Sequence, residues 1–123
     1  MSALLVAAEA EDKAFLLNKR GVARVGLQQR ELAYDDFVAA LDCNARHAPA
    51  LTNLGNLLLE RGEIDAAIAR YEAAAAADPE YAVAYLNLGA AYKRANRFPE
   101  AVRAMRHAHR LEGRRPARPT HHS

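Results

Sequence analysis

Tryptophan is absent and cysteine occurs once in the 123 residues, so no internal disulfide can form and the fold must rest on burial alone. A chain of that kind belongs by default in a reducing compartment, and the expected location is cytoplasmic. Glycine and proline are scarce, at 6 and 5 residues, and fall mostly where helices should begin or end. With alanine dominating a composition that is 51% apolar, this argues for an all-helical chain. The longest stretch without charge, residues 47–59, is too short to cross a bilayer, which needs about 20 apolar residues. No transmembrane segment is therefore expected. The apolar start, residues 2–8, lacks a basic flank and runs straight into Glu9, Glu11 and Asp12, which makes it a poor secretory signal.

Chemistry is equally sparse. There is no phosphate-cradling glycine loop, no nucleophile elbow and no zinc pattern. His107 and His109 are two apart, which puts them on different faces of a helix, whereas a metal pair wants a spacing of three or four. His121 and His122 lie in a terminal segment, Cys43 reads as a small buried hydrophobe, and Asp35-Asp36 and Glu63 with Asp65 read as solvated helix starts and faces. The expectation is a protein that is not an enzyme, with no catalytic residue, metal or cofactor.

What is present is repetition. Residues 48–81 overlay on 82–115 so that Leu54-Gly55 falls on Leu88-Gly89, Ala67 on Ala101, Tyr71 on Met105 and Ala74 on Ala108. A period of this length marks stacked helical hairpins, none of which can bury its apolar face without a neighbour. Gly55 with Ala67, and Gly89 with Ala101, bring no bulk to the crossing of two antiparallel helices and would let them approach closely. Leu51, Leu54, Leu58 and Tyr71 would fill the wedge between them. Gly62 and Asn96 suit the left-handed residue after a helix end, Asp78-Pro79 would stop a helix, and Pro99 fits a first helical turn.

These positions resemble the tetratricopeptide repeat family. Its pattern of a large residue, Leu-Gly, an aromatic, Ala, an aromatic, Ala and Pro is met by Leu51, Leu54, Gly55, Ala67, Tyr71, Ala74 and Pro79, with Leu58 replacing one aromatic. Tyr85, Leu88, Gly89, Tyr92, Ala101, Met105 and Ala108 give a second copy that lacks the closing Pro. Residues 14–47 give a weaker one, with Leu17, Gly21, Ala33, Phe37 and Ala40 in place but Arg20 and Arg24 at two apolar seats. The resemblance implies an all-α, right-handed α-solenoid of three tetratricopeptide-type helical hairpins with an N-terminal capping helix. The expected layout is a cap helix over 2–11 and repeats over 14–47, 48–81 and 82–115. The repeat domain then occupies 1–112, and a basic, flexible tail follows over 113–123.

The resemblance further implies a protein-protein interaction scaffold, whose first helices line a concave groove for an extended peptide or a partner helix. The groove-facing places hold Phe15, Asn18, Lys19 and Val22, then Pro49, Thr52, Asn53 and Asn56, then Val83, Leu86, Asn87, Ala90 and Lys93. Asn53 and Asn87 are one period apart, and amides so arrayed can either serve a peptide backbone or order the hairpins. One variety of the family binds acidic chaperone C-termini through a clamp of basic residues and asparagines. The matching places here are Asn18, Val22, Asn53, Val83 and Asn87, of which only Asn53 agrees, so a more neutral or apolar ligand is expected.

Charge is uneven along the chain. Residues 93–118 carry nine basic and two acidic side chains, a balance of +7, which leaves −5 on the rest and recovers the net +2. Arg103, Arg106 and Arg110 form one stripe on the last helix, continued by Arg114 and Arg115, while Asp35 and Asp42 occupy the corresponding stripe in repeat one. Three readings compete: an array ending in a polar face, with His109 where Leu41 and Ala75 stand earlier; head-to-tail self-assembly into a homo-oligomer; or binding of a polyanion, nucleic acid or anionic membrane. No aromatic follows Phe98 among those arginines, so base stacking by nucleic acid is not favoured.

Overall fold

The computed structural model describes residues 2–114, which form six α-helices and no strand: α1 (Ala3–Gly26), α2 (Arg30–Cys43), α3 (Ala48–Glu60), α4 (Ile64–Ala77), α5 (Ala82–Arg94) and α6 (Phe98–Gly113). Each odd helix packs against the even helix that follows it, and α2–α3 and α4–α5 contacts join the three hairpins. The first helices also touch one another, α1 with α3 and α3 with α5, whereas α2, α4 and α6 do not. The array therefore curves, with α1, α3 and α5 along its inner wall and the second helices splayed outside.

One core runs through all three hairpins. It links Phe37, Leu54, Leu58, Ala67, Ile68, Tyr71, Leu88, Tyr92 and Ala104 without interruption. At its crossings the glycines are needed: a Cβ on Gly55 would lie 2.6 Å from Cε1 of Tyr71, and one on Gly89 would lie 2.6 Å from Cγ of Met105. Glycine there sets how closely the two helices of a hairpin approach.

The three turns inside the hairpins share one geometry. Gln28, Gly62 and Asn96 all have positive φ, at 64°, 80° and 61°. In each turn the next amide reaches back to the closing helix, Gln29 N to Arg24 O at 2.8 Å, Glu63 N to Leu58 O at 3.0 Å and Arg97 N to Tyr92 O at 2.8 Å. This is the Schellman arrangement, which satisfies carbonyls that a helix end leaves open. Gly62 and Asn96 were expected in it. Gln28 was not, since only the hairpin's geometry forces its conformation.

Two expectations need correction. The capping helix foreseen over 2–11 is no separate element, because Glu11, Asp12 and Lys13 contain nothing that stops a helix and α1 runs through them. Ser2 does cap it, its hydroxyl accepting from Leu5 N at 3.1 Å. At 24 residues α1 outruns the 14 residues of α2 by roughly 15 Å at 1.5 Å per residue. Its first turns therefore project past Cys43.

The second correction is Asp36, expected to be solvated and in fact 2% exposed. Its carboxylate accepts from Arg20 at 2.8 and 3.1 Å and from Arg24 at 2.9 and 3.0 Å. The two arginines that fit the repeat pattern poorly thus hold one buried acid between α1 and α2, and Asp36 keeps the Arg20 guanidinium above its ordinary range. Of the expected basic tail, Gly113 closes α6 and Arg114 follows it, whereas Arg115, Arg118, His121 and His122 lie outside the described residues.

His47, at the start of α3, provides a pH test. Partial burial pushes its pKa below 6.5, with nearby Glu11 opposing weakly. The unfolded chain then binds the proton more readily, so the imidazole's contribution is intact above about pH 6.5 and is lost as pH falls towards the lowered folded value. Thermal melts should show stability declining over that window, and His47→Asn should flatten the decline.

Candidate functional site

The inner wall is built from one face each of α1, α3 and α5. Along it Phe15, Lys19, Val22, Asn56, Val83, Leu86, Ala90 and Lys93 are exposed, and Pro49, Asn53 and Asn87 are half-buried. Lys19 Nζ lies 5.3 Å from the centre of the Phe15 ring, which holds the ammonium over an apolar surface. Two expected wall residues are buried. Thr52 is 1% exposed and its hydroxyl donates to Ala48 O at 2.9 Å, the bond a helical threonine makes to its own preceding turn. Asn18 is 6% exposed, and its Oδ1 is taken by Asn53.

The asparagines form rungs between successive first helices. Asn53 Nδ2 donates to Asn18 Oδ1 at 2.9 Å, and Asn87 Nδ2 donates to Asn56 Oδ1 at 3.1 Å. Asn56 Oδ1 also accepts from the Tyr71 hydroxyl at 2.5 Å, tying the wall to the core. Burial pushes the Tyr71 phenol up to about 12, so it remains a donor throughout the physiological range. These bonds order the hairpins. The Asn53 and Asn87 carbonyl oxygens accept nothing among the described residues, so each rung still leaves an acceptor facing the wall.

Between α1 and α3 the wall deepens into a recess of about 300 Å³, lined by Val22, Val25, Phe37, Asn53, Asn56, Leu57 and Glu60. It brings together Val22, Asn53 and Asn56, all expected at the wall, and adds Val25, Leu57 and Glu60, which were not. The signal for the added three was helical spacing: they follow Val22, Asn53 and Asn56 by three or four residues. Its lining joins the apolar side chains of Val22, Val25, Phe37 and Leu57 to the amides of Asn53 and Asn56 and to Glu60, whose carboxylate accepts from Arg30 Nε at 2.9 Å.

The basic patch belongs to another surface. Arg103, Arg106, Arg110 and Arg114 are exposed on or just after α6, an outer helix. Arg110 Nη2 lies 3.2 Å from His107 Nδ1, and the His107 ring in turn lies 4.1 Å from the Tyr85 ring, tilted 55° to it. No cluster of three or more His, Cys, Asp or Glu that could hold a metal occurs among the described residues, and no described helix is long and apolar enough to cross a membrane.

Three comparisons bear on this architecture. Residues 55–96 match the family profile described as TPR repeat, and residues 37–69 and 82–111 match profiles described as tetratricopeptide repeat. Among solved structures, MamA is 29% identical over 82% of this chain and 59% of its own, with a TM-score of 0.75. This chain thus spans about three fifths of MamA's length. The first TPR of Spaghetti (RPAP3), solved with the HSP90 peptide SRMEEVD, superposes with a TM-score of 0.79 at 21% identity, covering 85% of this chain and 83% of that one. YrrB, described as a TPR protein with an unusual peptide-binding site, gives 0.72 at 24% identity, covering 83% and 53%. At those identities the last two likenesses establish the fold.

Proposed function

Because the chain belongs to the tetratricopeptide repeat family, we propose that it is an interaction scaffold whose inner wall holds a peptide or helix of another protein. The observation that carries this reading is the recess between α1 and α3, where exposed Val22 and buried Leu57 form an apolar floor beside the amides of Asn53 and Asn56. An apolar anchor with a few directed polar groups is how a concave site fixes an extended partner. Leu86 and Val83 on α5, 45% and 39% exposed, continue the apolar track one repeat further.

The chemistry of the partner follows from what the wall lacks. At the places matching the acidic-tail clamp, Val22 and Val83 carry no charge, Asn87 is engaged with Asn56, and Asn18 is buried. The ligand is therefore neutral or apolar in its central residues. The peptide SRMEEVD, the ligand solved with RPAP3, should not bind this chain more tightly than about 1 mM, a limit readable by calorimetry.

To test the site, peptides are selected from a random displayed library on the immobilised chain, and their affinity is measured for Val22→Glu combined with Leu86→Glu. Both side chains are half exposed, so the fold should survive and the melting temperature should stay near wild type. Burying two unpaired charges at an anchor should weaken binding by at least roughly 30-fold. Undiminished affinity in a folded variant would remove the wall from the account.

A further inference from the structure

The outer face of α6 breaks the burial pattern of the array. Tyr71 and Ile68 on α4 are 0% and 3% exposed, because the next hairpin covers them, and Phe37 on α2 is likewise 0% exposed. The equivalent places on α6 hold Met105 and Val102, which are 45% and 48% exposed, and neighbouring Phe98 is 53% exposed. An apolar recess of about 330 Å³ opens beneath them, lined by Gly89, Lys93, Phe98, Ala101, Val102, Met105 and Arg106. This is the seat of a helix, the place that α5 and α3 fill one and two repeats earlier. It is not the polar end face that His109 suggested. Its rim is basic: Lys93 and Arg106 line it, and neither has a carboxylate partner among the described residues.

The opposite end of the molecule carries a helix with the complementary character. The projecting start of α1 exposes Leu4 at 85%, with Leu5 and Val6 half exposed, and Ala8 one turn on from Leu4 keeps that face slim. Glu9, Glu11 and Asp12 follow directly, all exposed. The later part of α1 would fit the α6 seat badly, because Arg20 stands where Leu54 and Leu88 are buried and would meet Lys93 and Arg106. We propose that the start of α1 in one copy docks on the α6 seat of a second copy, Leu4 and Leu5 over Phe98, Val102 and Met105, with the acids of α1 against Lys93 and Arg106. Such a contact joins two different surfaces, so it is head-to-tail and can extend beyond a dimer. It does not depend on Val22 or Leu86 of the inner wall, which lie outside this recess.

Sedimentation equilibrium on the full chain tests it through two variants, each spoiling one partner surface: Leu4→Lys with Leu5→Lys, and Val102→Glu with Met105→Glu. All four side chains are at least 45% exposed, and circular dichroism checks that both variants fold. Wild type should exceed the 13.5 kDa monomer mass increasingly with concentration, and molar salt should reduce the excess. Each variant alone should remain monomeric, while their equimolar mixture should form a 1:1 dimer, since each retains the surface the other lacks. Val22→Glu with Leu86→Glu should associate like wild type. A wild type that stays monomeric at every concentration, variants that associate as before, a mixture that stays monomeric, or loss of assembly in the wall variant would each overturn the proposal.

Discussion

Gly55→Ala should lower stability by about 3 kcal/mol, and Gly55→Leu should leave the middle hairpin unable to close. The added Cβ would lie 2.6 Å from Cε1 and 2.8 Å from Cδ1 of Tyr71. That ring cannot swing aside: it is fully buried, and its hydroxyl is fixed on Asn56. The helices must therefore separate, which opens the core linking Leu54, Leu58, Ala67 and Tyr71. For a chain of this size the alanine variant should melt roughly 10 °C lower. Gly89→Ala makes an equally short contact, but with the half-exposed, flexible chain of Met105, so it should cost distinctly less. Gly26→Ala is the control, because its Cβ meets nothing within 4 Å and a helical alanine is favoured. Thermal melts of the three should rank Gly55, Gly89 and Gly26 in that order of harm.

Asp36→Ala should cost roughly 2 to 4 kcal/mol by leaving the part-buried Arg24 guanidinium without its acceptor between α1 and α2. The lower end of that range is favoured by Arg20, whose side chain is 56% exposed and can turn to water, and the upper end by Arg24, at 27%. The repeats themselves supply a rescue. At the places of Arg20 and Arg24 the second hairpin has Leu54 and Leu58, and the third has Leu88 and Tyr92. Adding Arg20→Leu and Arg24→Leu to Asp36→Ala should regain most of the lost stability in denaturant titrations, because an apolar set of similar volume commonly equals a buried ionic one. A triple variant no more stable than the single one would mean that this triad supplies something packing cannot replace.

Residue periodicity made most of the fold legible. Leu54, Gly55, Leu58, Ala67, Tyr71 and Ala74 are all buried, as the overlay required, and so are Phe37, Leu88 and Tyr92 one period away. The overlay failed where a partner lies in another helix. Arg20 and Arg24 looked like errors in an apolar pattern, because their acid is 16 and 12 residues distant and on α2. Gln28 takes a positive φ that its side chain does not favour, since the hairpin dictates the turn. The asparagine rungs span 35 and 31 residues, and they could be counted only once the curvature had brought α1, α3 and α5 side by side. Met105 stands at the place of buried Tyr71 yet is half exposed, because no described helix covers α6.

The same curvature bears the functional reading. If α1, α3 and α5 form the gripping surface, adding a library-selected peptide should shift the backbone amide resonances of Val22, Asn53, Asn56, Leu86 and Asn87 in a two-dimensional nitrogen-proton spectrum. Residues on the outer faces of α2, α4 and α6 should hold their positions. Shifts confined to α6, or to the outer helices generally, would contradict the account.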